Sequence, residues 1–224
     1  MPAVKSIASA YTGSGSGRGA WHGGRLRVSD LQTLALFERL RLVRSRRAGL
    51  ALALWGEAGI GKSHAAGALL EALPCRSLSL AAAAPLSKLA LALPRPAKLS
   101  AWAERTLSRA AQGERLEPDA LAAAVGAALA GLAPFVLHLE DLHEASPERL
   151  ELLERLARTL PKLRGVGLLV TSRSEPPEGF LGVKLEPLTR AASDEVVEAE
   201  VSAALPEAAK AWMFGKAAGN PLYT

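Results

Sequence analysis

Apolar positions along this chain fall in two rhythms. Short unbroken runs at Leu50–Trp55, 135–139 and 167–171 read as strands covered on both faces. Residues 75–80, after Pro74, and 183–185, after the turn Pro176-Pro177-Glu178-Gly179, are two further short strands. Between them the spacing is helical. Leu31, Leu34, Ala35, Phe37, Leu40 and Leu42 form one helix, with Ser29-Asp30 as its N-cap. Residues 64–73 form a second, and 147–160 an amphipathic one with Ser146 as N-cap and Pro147 in its first turn. Pro85, Pro94, Pro96 and Pro118 divide residues 81–131 into helical pieces without a strong strand. A helix that starts at Ser193-Asp194 and runs to about residue 205, then another over 206–218, end the pattern. Strands alternating with helices predict an α/β fold, a parallel sheet covered on both sides.

Composition sharpens this picture. Apolar residues make up 49% of the 224 and aromatics only 4%, so the core must rest on aliphatic helix–sheet packing. The single cysteine, Cys75, excludes an internal disulfide and a multi-cysteine metal site. It reads as a small buried hydrophobe in a strand, which fits a reducing, cytoplasmic setting. Residues 121–139 carry no charge and approach membrane-spanning length. Alanine and glycine dominate them, however, Pro134 interrupts them and Glu140-Asp141 follow, so a helix, a turn and a buried strand are the better reading. Residues 1–24, with Gly13-Ser14-Gly15-Ser16-Gly17, have no secretory apolar core and read as a flexible tail carrying Trp21 and His22.

The net charge of +5 is uneven: nine Lys/Arg against two Asp/Glu through residue 50, and 18 against 20 beyond it. Arg39, Arg41, Arg44, Arg46 and Arg47 supply much of the excess. Such a cluster can meet nucleic acid or an acidic partner. With no direct DNA-binding motif beside it, the simpler expectation is a solvated face and the C-terminal end of one helix, where cations offset the dipole.

The chemistry concentrates in Gly56-Glu57-Ala58-Gly59-Ile60-Gly61-Lys62-Ser63, a G-x-x-x-x-G-K-S string between a predicted strand and a predicted helix. Glycines let consecutive backbone N–H groups curl around a phosphate, and the helix N-terminus adds partial positive charge. Lys62 then reaches the β- and γ-phosphates of a nucleoside triphosphate, and the Ser63 hydroxyl ligates Mg²⁺. His64, next along, reads as an exposed helix position at the edge of this nucleotide-contacting set. The buried run 135–139 ends in Glu140-Asp141, where strand C-termini face the ligand crevice. One of these carboxylates can coordinate Mg²⁺ and the other can orient or deprotonate the attacking water. A third strand ends in Thr171-Ser172-Arg173, polar groups suited to the γ-phosphate. His138 and His143 lack zinc-site spacing and read as a buried strand residue and a loop-packing residue.

Gly56–Ser63, Leu139-Glu140-Asp141-Leu142-His143, Thr171-Ser172-Arg173, Leu185-Glu186-Pro187-Leu188 and Gly219-Asn220-Pro221-Leu222-Tyr223 occur in the order seen in STAND-class P-loop ATPases. The string resembles most the AAA-like ATPase module of large bacterial LuxR-type regulators and related signalling ATPases, over residue 50 to the C-terminus. The resemblance implies a five-stranded parallel sheet of order 5-1-4-3-2, with the sensor strand between the phosphate-loop strand and the one ending in acids. It implies ATP and Mg as ligands, Lys62 on phosphate, Ser63 and Glu140 on Mg, and Asp141 activating water. Arg173 is then the γ-phosphate sensor, and Pro221, in a small helical domain, packs near the adenine. Glu144-Ala145-Ser146 stands where members commonly have Trp-Ala-Asp, and no Gly-Arg-Glu string precedes the phosphate loop.

The expected organisation is a tail over 1–24, a P-loop core over 25–190 and the beginning of a helical lid domain over 191–224, cut where the family's lid continues. The expected activity is that of a slowly hydrolysing, Mg-dependent ATP switch in transcriptional or other signalling, able to self-associate or to act on domains outside this chain, with no membrane. A non-catalytic ATP-binding scaffold and a P-loop small-molecule kinase are the alternatives. No Asn-Lys-x-Asp string supports GTP, and the 81–131 region shows no arginine-rich lid for a kinase.

Overall fold

The computed structural model describes residues 31–201 and 205–223. The proposed tail 1–24, with Trp21 and His22, and the Ser29-Asp30 cap lie outside the described residues. Five strands, β1 (Leu50–Trp55), β2 (Arg76–Ala81), β3 (Phe135–Glu140), β4 (Val166–Ser172) and β5 (Leu181–Lys184), form one parallel sheet in the order β2-β3-β4-β1-β5. Read from the other edge this is 5-1-4-3-2, a P-loop NTPase α/β fold, with β4 between β1 and β3.

Position in the sheet explains the strand sequences. β4 is central and every one of its residues is buried. β1 and β3 are likewise apolar along almost their whole length, because a strand covered on both faces has no solvent side for polar residues. β2 and β5 are the edges and alternate or stay largely exposed.

Each face has its own core. Leu52, Leu54, Val136 and Leu169 pack against Leu36, Leu40 and Val43 of α1 (Leu31–Arg44) and Ala66 and Leu69 of α2 (Lys62–Ala72). On the opposite face Ala51, Ala53, Leu137, Leu139, Leu168 and Val170 meet a layer of four helices: α3 (Leu86–Ala92), α4 (Ala101–Ala111), α5 (Pro118–Leu132) and α6 (Pro147–Thr159). α5 is apolar nearly all round because α4 and α6 flank it. It ends at Leu132; the Ala133–Pro134 peptide is cis, and β3 begins at Phe135. Among the described residues no helix is long and apolar enough to cross a membrane. Ser146 caps α6 by accepting from Arg149 N at 3.3 Å, with Pro147 in the first turn.

Some local expectations shift. The inward stripe of α1 is Leu36, Leu40 and Val43, while Leu42 is 40% exposed; the i, i+4, i+7 spacing selects the former. Cys75 lies just before β2 and is half-buried, not in the strand. α7 (Arg190–Val201) begins three residues before Ser193, because Thr189 Oγ1 accepts from Ala192 N at 3.3 Å and Ser193 is buried inside the helix. α8 (Glu207–Ala217) follows.

Candidate nucleotide site

The phosphate loop begins where β1 runs out of ladder. Gly56 N still donates to Ser172 O at 3.2 Å, and its φ of 148° turns the chain away from the sheet. Gly59 and Gly61 also have positive φ, 78° and 93°, a region that L side chains rarely adopt. Gly61 N-caps α2, so Lys62 and Ser63 occupy the helix's first turn, where backbone N–H groups have no intrahelical acceptor. A Cβ on Gly61 would meet nothing within 4 Å, since the space beside it is the cavity.

That cavity measures about 240 Å³ and is lined by Ala58, Gly59, Gly61, Lys62, Ser63, His64, Asp141 and Arg173. Lys62 is buried, and its Nζ donates to Gly56 O at 3.0 Å and Glu57 O at 2.6 Å. Burial pulls the Lys62 ammonium below its ordinary pKa; the Asp141 charge opposes this and the Arg173 charge adds to it. With two cations against one carboxylate, the cavity lacks an anion. Glu57, Ala58, Ser63, His64 and Arg173 are exposed, and Ile60 is buried beneath the loop.

The two acids differ in placement. Glu140 is the last residue of β3, on the face it shares with His138, and its carboxylate lies 3.9 Å from His138 Nδ1. It does not line the cavity. Asp141 follows the strand in a left-handed conformation, φ 56° and ψ 57°, and does line it. Asp141 N donates to Thr171 Oγ1 at 3.1 Å, so the neighbouring strand end holds this turn. Ser174 N donates to Ser172 Oγ at 3.3 Å, closing a turn that leaves Arg173 at the cavity. His138 is buried, with Ser79 Oγ 3.1 Å from its Nδ1.

Gly219-Asn220-Pro221-Leu222 returns to the loop from the far end of the chain. Asn220 Nδ2 donates to Ala58 O at 2.9 Å, and Leu222 packs so closely on Gly59 that a Cβ there would lie 2.6 Å from the leucine's own. Leu188 N donates to Gly219 O at 2.7 Å, joining this segment to the chain that leaves β5. Pro221 is half-buried between the two contact residues and does not line the cavity.

The residues present fit a magnesium-bound polyphosphate. Ser63 and Asp141, which line the cavity, offer the oxygen donors that a hard cation prefers, while Glu140 stands outside the lining beside His138. Among the described residues no group of three or more His, Cys, Asp or Glu could hold a metal alone, as suits an ion carried largely by substrate phosphates. Thr171, Asn220 and Leu222 are the site contacts that sequence reasoning left without these roles. Their only signal was position: a polar residue ending an apolar strand, and a Gly-Asn-Pro string far from the loop it touches.

The fold has many solved counterparts. A STAND protein, a signal transduction ATPase with numerous domains and a tetratricopeptide repeat sensor, from Pyrococcus horikoshii matches at 18% identity and a TM-score of 0.54, over 82% of this chain and 28% of its own. The Orc1 protein from Aeropyrum pernix, solved in complex with DNA, matches at 18% and 0.58 over 86% of this chain and 56% of its own. Cdc6p from Pyrobaculum aerophilum matches at 16% and 0.58, over 85% and 53% respectively. This chain thus spans between about a quarter and just over half of these relatives' lengths. No curated protein matches it. The AAA ATPase domain model matches residues 26–170, which include the phosphate loop, both acids and most of β4. On that match, with the sheet order and the cavity, the chain belongs to the AAA ATPase domain family and is a nucleotide-binding ATPase module.

Proposed function

We propose that this chain is the Mg-ATP-dependent switch of a signalling or transcription-regulatory ATPase of the LuxR-associated STAND type, with slow hydrolysis. The observation that carries this reading is the seat of the Gly219–Leu222 segment on the phosphate loop, through Asn220 to Ala58 O and Leu222 on Gly59. A segment bonded to the loop's backbone responds to the shape the loop takes, and a switch requires such a differential contact between its states.

In this reading the Lys62 ammonium leaves the Gly56 and Glu57 carbonyls for the β- and γ-phosphates, regaining the charge stabilisation that burial removes. The loop residues Gly56, Glu57, Ala58, Gly59, Ile60 and Gly61 wrap the phosphates, with His64 at the rim and Pro221 beside the adenine. Ser63 would hold magnesium, with Glu140, set back from the cavity lining, as the second oxygen donor, and the ion would neutralise the phosphates. Asp141 orients the attacking water, and Arg173 reads the terminal phosphate. Hydrolysis is slow without a further arginine, which can contribute about 10³–10⁵ in rate when a neighbour supplies it; self-association would provide one.

Calorimetric titration with Mg-ATP, followed by a phosphate-release assay, tests the proposal. Tight binding with slow release is expected, and Lys62→Ala should weaken binding by about ten- to a hundredfold, the worth of a charge-assisted contact. Equal affinity in the variant, or tight binding with no release of phosphate, would overturn it, the latter in favour of a nucleotide-holding scaffold.

A further inference from the structure

We propose that the pole of the sheet opposite the phosphate loop docks the phosphate backbone of a nucleic acid. Parallel strands that end at the loop must all begin at the other edge. The chain entering that edge carries Arg44, Arg46 and Arg47 before β1, Arg76 at the start of β2, and Lys162 and Arg164 before β4, all of them exposed.

Packing draws these segments together. Arg46 donates to Ala133 O, and its side chain would lie 3.0 Å from a Cβ on Gly165. Arg76 donates to Leu132 O at 2.7 Å. Gly165 N donates to Ala48 O at 2.9 Å, and Gly49 is so close to the turn after α6 that a Cβ would fall 1.9 Å from Leu160 O. Arg44 lies near enough to Cys75 for its charge to act on the thiol.

Arg46 and Arg76 have a structural task, since they satisfy carbonyls at the end of α5. Arg44, Arg47, Lys162 and Arg164 make no ion pair or side-chain hydrogen bond among the described residues. Of the carboxylates toward this pole, Glu71 in the last turn of α2 and Glu178 before β5 pair with none of them among the described residues, and Glu104 in the first turn of α4 is taken by Arg95. The partner this surface lacks is therefore a polyanion.

Its chemistry favours phosphate over an acidic protein. Arginine presents a planar fork that matches phosphate oxygens in pairs. A protein partner would want several aromatic or aliphatic anchors; of the large hydrophobics exposed among the described residues, only Leu42 adjoins these basic residues along the chain. Among the described residues no exposed aromatic adjoins these six basic residues in the chain, so the contact proposed is to the phosphate backbone and is sequence-independent.

The test uses the full chain and a labelled DNA duplex of two helical turns, without nucleotide, so that it is independent of the switch proposal. Wild type should bind at about 50 mM salt and weaken steeply towards about 200 mM. The combined Arg44→Gln, Arg47→Gln, Lys162→Gln, Arg164→Gln variant should lose at least about tenfold in affinity and about 3–4 in the slope of log K against log salt, roughly 0.9 per lost phosphate contact. Its melting temperature and Mg-ATP affinity should match wild type. If that variant unfolds, Arg47→Gln with Lys162→Gln should still remove about half of the slope change. Absence of duplex binding in wild type, or an unchanged slope in the folded variants, overturns the proposal. Tighter binding of polyglutamate than of duplex at equal salt also overturns it and assigns the pole to an acidic protein.

Discussion

Asp141 sits in a left-handed turn, its amide donating to Thr171 Oγ1 and its carbonyl accepting from Glu144 N. Thr171→Val keeps the shape and removes the acceptor, leaving a part-buried amide unpaired. About 1–3 kcal/mol of stability should be lost, and phosphate release should slow while ATP affinity stays near wild type. Unchanged turnover would mean that the turn holds without Thr171. Asp141→Asn should also preserve ATP binding and slow release by about 10²–10⁴, as loss of a general base does; equal turnover would remove Asp141 from the chemistry. His138 supplies a pH dependence. Burial pushes its imidazole below the ordinary value, and Glu140 opposes this less strongly. The folded state then binds fewer protons than the unfolded one below the unfolded pKa, near about 6.5, so stability rises with pH through that window and is reduced beneath it. The melting temperature should fall between about pH 7 and 5, and His138→Gln should flatten part of that fall; identical pH slopes would clear His138. The loop residues at this scale were legible because the motif's spacing is local. The Thr171 bond was not, since it joins neighbours in the sheet that are thirty residues apart in the chain.

Elements followed the apolar rhythm wherever burial is two-sided. β1, β3 and β4 match their runs to within a residue because nearly every position is covered. Edge strand β5 begins two residues earlier than the pattern indicated, because its residues are mostly exposed and side chains there leave little imprint. α7 starts at the cap that Thr189 supplies, where Ser193-Asp194 offered an equally good local signal. α5 is flanked by α4 and α6 in the four-helix layer, with Leu129 buried in its C-terminal half. Leu129→Ala should cost about 2–5 kcal/mol, measured by denaturant unfolding, without altering Mg-ATP affinity in the folded protein. A loss below about 1 kcal/mol would show that the layer closes over the gap.

At the scale of the molecule, the segment after α8 is tied to the phosphate loop by Asn220 and Leu222. Asn220→Ala should loosen that seat by about 1 kcal/mol, seen as severalfold faster proteolysis around α8 without nucleotide and a changed affinity for Mg-ATP. Protection identical to wild type would detach the segment from the switch. The basic pole belongs to this scale as well. Five arginines near residue 40 looked like one helix end, whereas folding sets three of them beside Arg76, Lys162 and Arg164. The sequence by itself determined the phosphate-binding string, the buried strands and the acids that end β3, because each depends on neighbours along the chain. Only the tertiary structure decided that Asp141 and not Glu140 lines the cavity, that Thr171 holds it there, and that the chain's end rests on its loop. Those outcomes follow from strand order and helix docking, which bring together groups that local sequence leaves unrelated.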